Sequence, residues 1–412
     1  MTPITHSGSH AKPSTLRAVV LGGGLAGSAL AILLARSGRP VTLVEQHAIP
    51  RHKVCGDFLS AEALLYLHAL GLDPQALGAV PITTLRLATG FCLIETALPF
   101  PATSLTRFTL DEALLHRAAT AGATLLRGSR AESLTLPESP TPARPATDWQ
   151  LRLATGATLS ANTVFLATGK HDLRGFSRPA GRHTSLIAFK QYIILDPKQH
   201  AALGPSIELI LFPHGYAGLQ PVEPDADGNP RANLCLVVDR NHLRSLSTSS
   251  GASSGSGGNT WPTLLAYLLQ VSPHLRRRLA GSEPLLAQPL ALSNIPYGLL
   301  RRSPPALGLW PLGDQAAVIP SLTGDGMSIA LHTAHLAAAM YLANQTARDF
   351  TTAVHSTLRC QLALATVASR LAVQPVLQPA IATLARFHPP LLQHLARATR
   401  IPDLIPAAAL SF

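Results

Sequence analysis

The stretch RAVVLGGGLAGSALAILLARSGRPVTLVEQ limits what this chain can fold into more than any other feature of its sequence. Gly22, Gly24 and Gly27 stand in G-x-G-x-x-G spacing, after a strand-like run at 18–21 and before a helix-like run at 28–37. Each glycine answers a steric demand: Gly22 permits a tight turn, Gly24 lets backbone approach a pyrophosphate, and Gly27 lets the helix pack closely on a sheet. Phosphates then rest at the helix start, where unpaired N–H groups and the helix dipole favour anions. Glu45 ends the second strand-like run, 41–44, about 20 residues on, placed to accept from both ribose hydroxyls. An acid there does not suit a 2′-phosphate, so NADP is disfavoured at this site. NAD and FAD both remain open on this motif alone.

The rest of the composition supports a large folded body. With 412 residues, 47% hydrophobic and 13% charged, the chain can bury an extensive core and is expected to form two intertwined domains. The net charge of +11 comes from scattered Lys and Arg without a basic run, which argues against nucleic acid as a partner. Cys55, Cys92, Cys235 and Cys360 show no CxxC or metal spacing, so the reading is a reducing, cytoplasmic compartment. The histidines lack ligand spacing, and no metal site is expected. The apolar run 18–35 after Arg17 superficially resembles a leader peptide, but the glycine cluster and the strand at 41–44 speak for a nucleotide fold. The uncharged run 328–344 reads as a buried helix rather than a membrane span.

Along the chain, residues 1–14 read as a disordered tail. Residues 107–123 have helical periodicity, with Leu110, Leu114 and Leu115 on one face. Residues 151–153 and 163–167 look like strands, and 133–149 like a Pro/Thr-rich loop. From 184 to 240 longer β-type segments predict an antiparallel sheet. SLSTSSGASSGSGG at 245–258 reads as flexible. Residues 351–412 read as helices broken by Pro389, Pro390 and Pro402.

Three further segments select FAD through a resemblance. WPLGDQAAVIPSLTGDGMSIAL, TRFTLDEALLHRAATAGATLLRG and RHKVCGDFLS together resemble the ordered motifs of a flavoprotein superfamily. That superfamily contains aromatic-ring hydroxylases, geranylgeranyl reductases and flavin-dependent halogenases, and the resemblance spans about residues 16–345. It implies an α/β fold: a Rossmann-type, glutathione-reductase-like FAD domain (15–80, 107–175, 300–345), an inserted mainly antiparallel substrate domain (81–106, 176–299) and a C-terminal helical region (346–412). By resemblance Asp314, beside Gly313, binds the ribityl chain, and Pro320 lies near the flavin ring. Gly324, Asp325, Gly326 and Met327 offer N–H groups to the N1/O2 edge. Arg107 contacts the flavin side, Asp111 is structural, and Arg51 touches FAD. Cys55, Gly56 and Asp57 face the isoalloxazine or the substrate. The expected cofactor set is completed by Leu25, Ala26, Gln46, Ala167, Thr168 and Gly169.

The departures from that pattern matter. Many hydroxylases carry Asp-Gly after the strand at 163–167, whereas this chain has Thr168-Gly169, which puts hydroxylase-style NADPH docking in doubt. The Trp-x-Trp-x-Ile-Pro string of halogenases is missing. In HGYAGLQPV, Gly218 stands where geranylgeranyl reductases carry Trp, and Pro221 matches their proline. No second dinucleotide motif is present, so NAD(P)H binds transiently or a reductase partner delivers electrons.

The leading expectation is a monooxygenase acting through a flavin C4a-hydroperoxide on an aromatic or lipophilic small molecule. Cys55, Tyr216 and Gln220 are its candidate catalytic residues, with His214 close by. The alternative is an alkene saturase in which Cys55 helps protonate the substrate. A halogenase and a non-catalytic FAD-binding protein rank lower. Residues 351–412 carry Arg359, Arg370, Arg386, Arg397 and Arg400 against the one acid Asp403. Peripheral membrane association is weighed there, and a packed helical cap with a solvated basic face is preferred.

Overall fold

The computed structural model describes residues 16–136, 148–225, 227–249 and 260–402. Two sheets are built by a chain that passes between them. β1 (Leu16–Leu21), α1 (Leu25–Arg36) and β2 (Val41–Glu45) open the first. β3 (Val80–Thr89) and β4 (Cys92–Ser104) open the second. α2 (Arg107–Thr120), β5 (Thr124–Arg127) and β6 (Thr158–Leu166) return to the first. β7 (Leu186–Ile194), β8 (Ser206–Phe212), β9 (Gly215–Val222) and β10 (Arg231–Asp239) complete the second. β11 (Leu309–Pro311) rejoins the first, and α3 (Gly326–Leu342), α4 (Ala347–Ala372), α5 (Gln378–Phe387) and α6 (Pro390–Ala398) follow.

In the first sheet β5, β2, β1, β6 and β11 run parallel, with Val20 level with both Leu43 and Phe165. Parallel strands need cover on both faces, which is why β1 and β2 read as continuous apolar runs rather than alternating ones. α1 is buried from Leu25 to Leu34, packed between that sheet and the helices α2 and α3. The second sheet is antiparallel except where β3 meets β8. One of its rows sets Lys190 opposite Cys235 and Cys235 opposite Gly218.

Two loop expectations change. Within 133–149, Ala131–Thr135 and the stretch from Trp149 form an antiparallel pair, because alternating Leu134, Trp149 and Leu151 bury one face. Residues 240–249 are helical and take in the start of the low-complexity run, 245–249, and 250–259 lie outside the described residues, as does the tail 1–14. Pro390 opens α6 at its first turn, where a missing N–H costs nothing. No helix among the described residues is long and apolar enough to cross a membrane.

Candidate active site

The glycine loop is shaped by backbone crowding. Gly22 has φ +107°, and a Cβ there would lie 2.4 Å from the Ala167 carbonyl oxygen. A Cβ on Gly27 would lie 1.9 Å from the Gly22 carbonyl oxygen, so α1 starts hard against the turn. Glu45 holds this loop: its Oε2 accepts from Gly23 N–H at 2.7 Å and its Oε1 from His47 N–H at 2.9 Å. The carboxylate thus pins the loop while still lining the outer cavity.

Two helix starts border one continuous space. α1 begins at Gly24 and α3 at Asp325, and neither residue caps its helix with a side chain. An outer cavity of about 900 Å³ is walled by Glu45, Gln46, Arg51, Lys53, Arg130 and Thr168, among others. An inner cavity of about 140 Å³ is walled by Cys55, Ala188, Cys235, Ile319, Gly324 and Gly326, among others. The two share Gly24, Val54, Arg107, Ala167, Gly169, Lys170 and Asp314. A Cβ on Gly326 would meet nothing within 4 Å, and one on Gly24 only the tips of Arg107 and Lys53. A long site with an acid at one end and two open helix starts along it fits an extended dinucleotide such as FAD.

The cation between the two cavities is fixed from behind. Arg107 donates through Nε and Nη2 to Asp111, at 2.8 and 2.9 Å, and Lys53 Nζ donates to the same carboxylate at 2.7 Å. Burial alone opposes these charges. Asp111 nevertheless holds Arg107 above its ordinary range, and Arg107 with Lys53 holds Asp111 below its own. Gln315 Nε2 donates to the carbonyls of Gly169 and His171 at 2.9 and 3.1 Å, which ties the Gly313–Asp314 turn to the end of β6.

A buried polar cluster closes the inner end. Asp57, at φ +58°, projects an Oδ2 that accepts from Lys190 Nζ at 2.6 Å, Tyr192 OH at 2.7 Å and Asn233 Nδ2 at 3.1 Å. Asp57, Lys190 and Tyr192 are fully buried, and Asp57 Oδ1 has no partner among the described residues. Burial, then the Asp57 charge, pushes the Tyr192 phenol upward. Burial, then Lys190, pushes the nearby His52 imidazole down to about 4. Burial pushes Cys235 up to about 12, so it stays a thiol at neutral pH.

The structure brings most of the expected cofactor set together: Gly22, Gly24, Leu25, Ala26, Glu45, Gln46, Arg51, Cys55, Gly56, Arg107, Ala167, Thr168, Gly169, Gly313, Asp314, Gly324, Gly326 and Met327 line one cavity or both. Gly27 sits behind the loop. Pro320 lies between the lining residues Ile319 and Ser321, and Asp325 is fully buried near Arg400 rather than facing the space. Two catalytic candidates need correction. Tyr216 is buried with its OH near Ser321 and Ser369, at 3.1 and 3.4 Å, and Gln220 donates to Ser104 at 2.7 Å. Neither lines the described cavities. They share the face of Cys235 and Asn233 but stand one strand further from Lys190. His214 is exposed in the turn before β9, its ring tilted against that of His242.

Lys190, Tyr192, Asn233, Lys53 and Lys170 were not anticipated. A lone Lys inside the apolar strand SLIAFKQYIIL was the available signal, since an unpaired lysine is not buried in such a run.

Comparisons with known proteins agree with this geometry. Residues 20–56 match the NAD(P)-binding Rossmann-like domain family. Menaquinone reductase of Mycobacterium tuberculosis is 27% identical over 347 residues, covering 80% of this chain and 77% of that protein. By these likenesses the chain is similar to FAD-dependent oxidoreductases. Solved structures share its fold. The myxobacterial chondrochloren halogenase CndH is 18% identical, with TM-score 0.70 over 96% of this chain and 92% of its own. PqsL of Pseudomonas aeruginosa, described as a probable FAD-dependent monooxygenase, is 19% identical, with TM-score 0.64 over 87% and 97%.

Proposed function

We propose that this oxidoreductase uses FAD, reduced by NAD(P)H, to saturate a carbon–carbon double bond in a lipophilic small molecule. The observation that carries the reading is the Cys55–Gly56–Asp57 loop over the inner cavity: a thiol faces a chamber walled by Ala188, Val318 and Ile319. The relative's name supports a lipophilic substrate, since a menaquinone is one. Gly24, Leu25 and Ala26 would hold the pyrophosphate, Glu45 the ribose end, Asp314 the ribityl chain, and Gly326 and Met327 the flavin edge. When bound and reduced, the flavin supplies a hydride to one alkene carbon. Cys55 gives its proton to the other carbon, and the thiolate regains one from water that enters by the outer cavity. Asp57, clamped by Lys190, Tyr192 and Asn233, holds the Cys55 loop in place. Asn233 Nδ2 also donates to the Cys55 carbonyl at 3.1 Å. A Cβ on Gly218 would meet only the Cys235 carbonyl, at 3.8 Å, which leaves room for substrate beside that row. In this reading the first sheet with its helices serves the cofactor and the second sheet the substrate.

Anaerobic incubation with NADPH and an unsaturated isoprenoid quinone should give a product two mass units heavier. Cys55→Ala should retain flavin and lose turnover by about 100-fold or more. A monooxygenase is the second reading, favoured by the same apolar wall, which would keep water from an oxygen-transfer step. Oxygen uptake matched by a product sixteen units heavier, with no anaerobic reduction, would move the assignment there.

A further inference from the structure

α5 leaves part of its apolar surface outside. Ile381 packs inward beside buried Gln378, Ala382 and Ala385, while Leu384 and Phe387 face solvent. A helix that only caps a core keeps its large apolar side chains on the inner face, because burying them is what stabilises it. The pattern continues on both sides. Val367 and Leu371 are exposed one turn apart at the end of α4, Val376 follows in the connection, and Leu391 opens α6. Val376 is 86% and Phe387 74% exposed. Clustered large apolar side chains on a surface mark a partner rather than chance.

The charge around this face selects the partner. Between Asp349 and Asp403 the sequence holds no Asp or Glu, while Arg359, Arg370, Arg386 and Arg397 are exposed. Exposed apolar side chains set among unopposed guanidinium groups match the headgroup and acyl boundary of an anionic bilayer. Arg400, two residues past the end of α6, donates to the Thr323 carbonyl, one residue before the cavity-lining Gly324. The face therefore adjoins the inner end of the site.

We propose that residues 367–397 dock this protein on an anionic lipid surface, with Phe387, Leu384 and Val376 inserted and Arg386 and Arg359 at the headgroups. This reverses the preference for a simple solvated cap, and it stands whichever reaction the flavin site performs.

The test is flotation of the full-length, flavin-loaded protein with vesicles of phosphatidylglycerol and phosphatidylcholine, against phosphatidylcholine alone. The wild type should float with the anionic vesicles and stay behind with the neutral ones. Val376→Ser/Leu384→Ser/Phe387→Ser should reduce the bound fraction at least about tenfold, as should Arg359→Glu/Arg386→Glu, with flavin content and melting temperature unchanged. A wild type that ignores anionic vesicles overturns the proposal, as does a serine variant that floats equally well. A dimer that the serine variant disperses, without vesicle binding by the wild type, would make the face a contact between copies and overturn it too.

Discussion

The two ends of the cavity are made in different ways. The outer end is local: β1, the glycine loop, α1 and Glu45 lie within one βαβ unit, and backbone groups do most of the work. The inner end is assembled from distant chain. Asp57 meets Lys190 across 133 residues and Asn233 across 176, through side chains buried on the second sheet. Backbone geometry leaves a residue-type signature that a short string can reveal; a side-chain cluster joined by sheet pairing does not.

The largest effect should come from the outer end. Gly27→Val drives a side chain into the Gly22 carbonyl, and backbone there cannot yield as a flexible side chain would. Overpacking costs about 3 kcal/mol or more at such a place, and soluble yield and flavin content should both collapse. A folded, flavin-loaded variant would show that the loop is looser than described.

The inner end should break more gradually. Lys190→Met leaves the Asp57 carboxylate buried without its cation, a loss of about 3–5 kcal/mol in chemical denaturation. Adding Asp57→Asn should restore part of that loss, because the remaining groups are neutral and can still hydrogen-bond. A double variant as weak as the sum of the two singles would mean that the pair is not coupled.

The smallest effect lies behind both ends, where α3 meets the helix Ala61–Ala69. Burial pushes His332 and His335 there, and His52 beside Tyr192, each down to about 4. Such a group takes up a proton on unfolding between pH 6.5 and 4, so the folded state loses stability as pH falls through that window. Asp325, raised by burial to about 6, acts oppositely, its contribution fading as pH rises from about 4 to 6. Three groups outweigh one, and acid should destabilise. His335→Leu should flatten the slope of stability against pH by up to about one proton. An unchanged slope would remove His335 from the account.

Particular residues show how far the sequence could be read. The cofactor motifs were legible because each is a strand-turn-helix string whose glycines answer a local steric need. Tyr216 and Gln220, read as pocket residues, lie on the sheet face that carries Cys235 and Asn233. Which strand borders the cavity depends on pairing order, and that order put Ala188 and Cys235 there instead. Asp57 was read as facing flavin or substrate, and its buried clamp appears only when β7 and β10 are brought to it.

The central claim is that one FAD spans both helix starts. Gly326→Val tests it most directly, because a Cβ there would meet no protein atom within 4 Å and would point the substitution at the space assigned to the flavin. In an FAD titration of the full-length protein, the account expects a variant with wild-type melting temperature whose FAD affinity is lower by about 100-fold or more. It should still bind AMP at the Glu45 end. Unchanged FAD affinity in that variant would contradict the account.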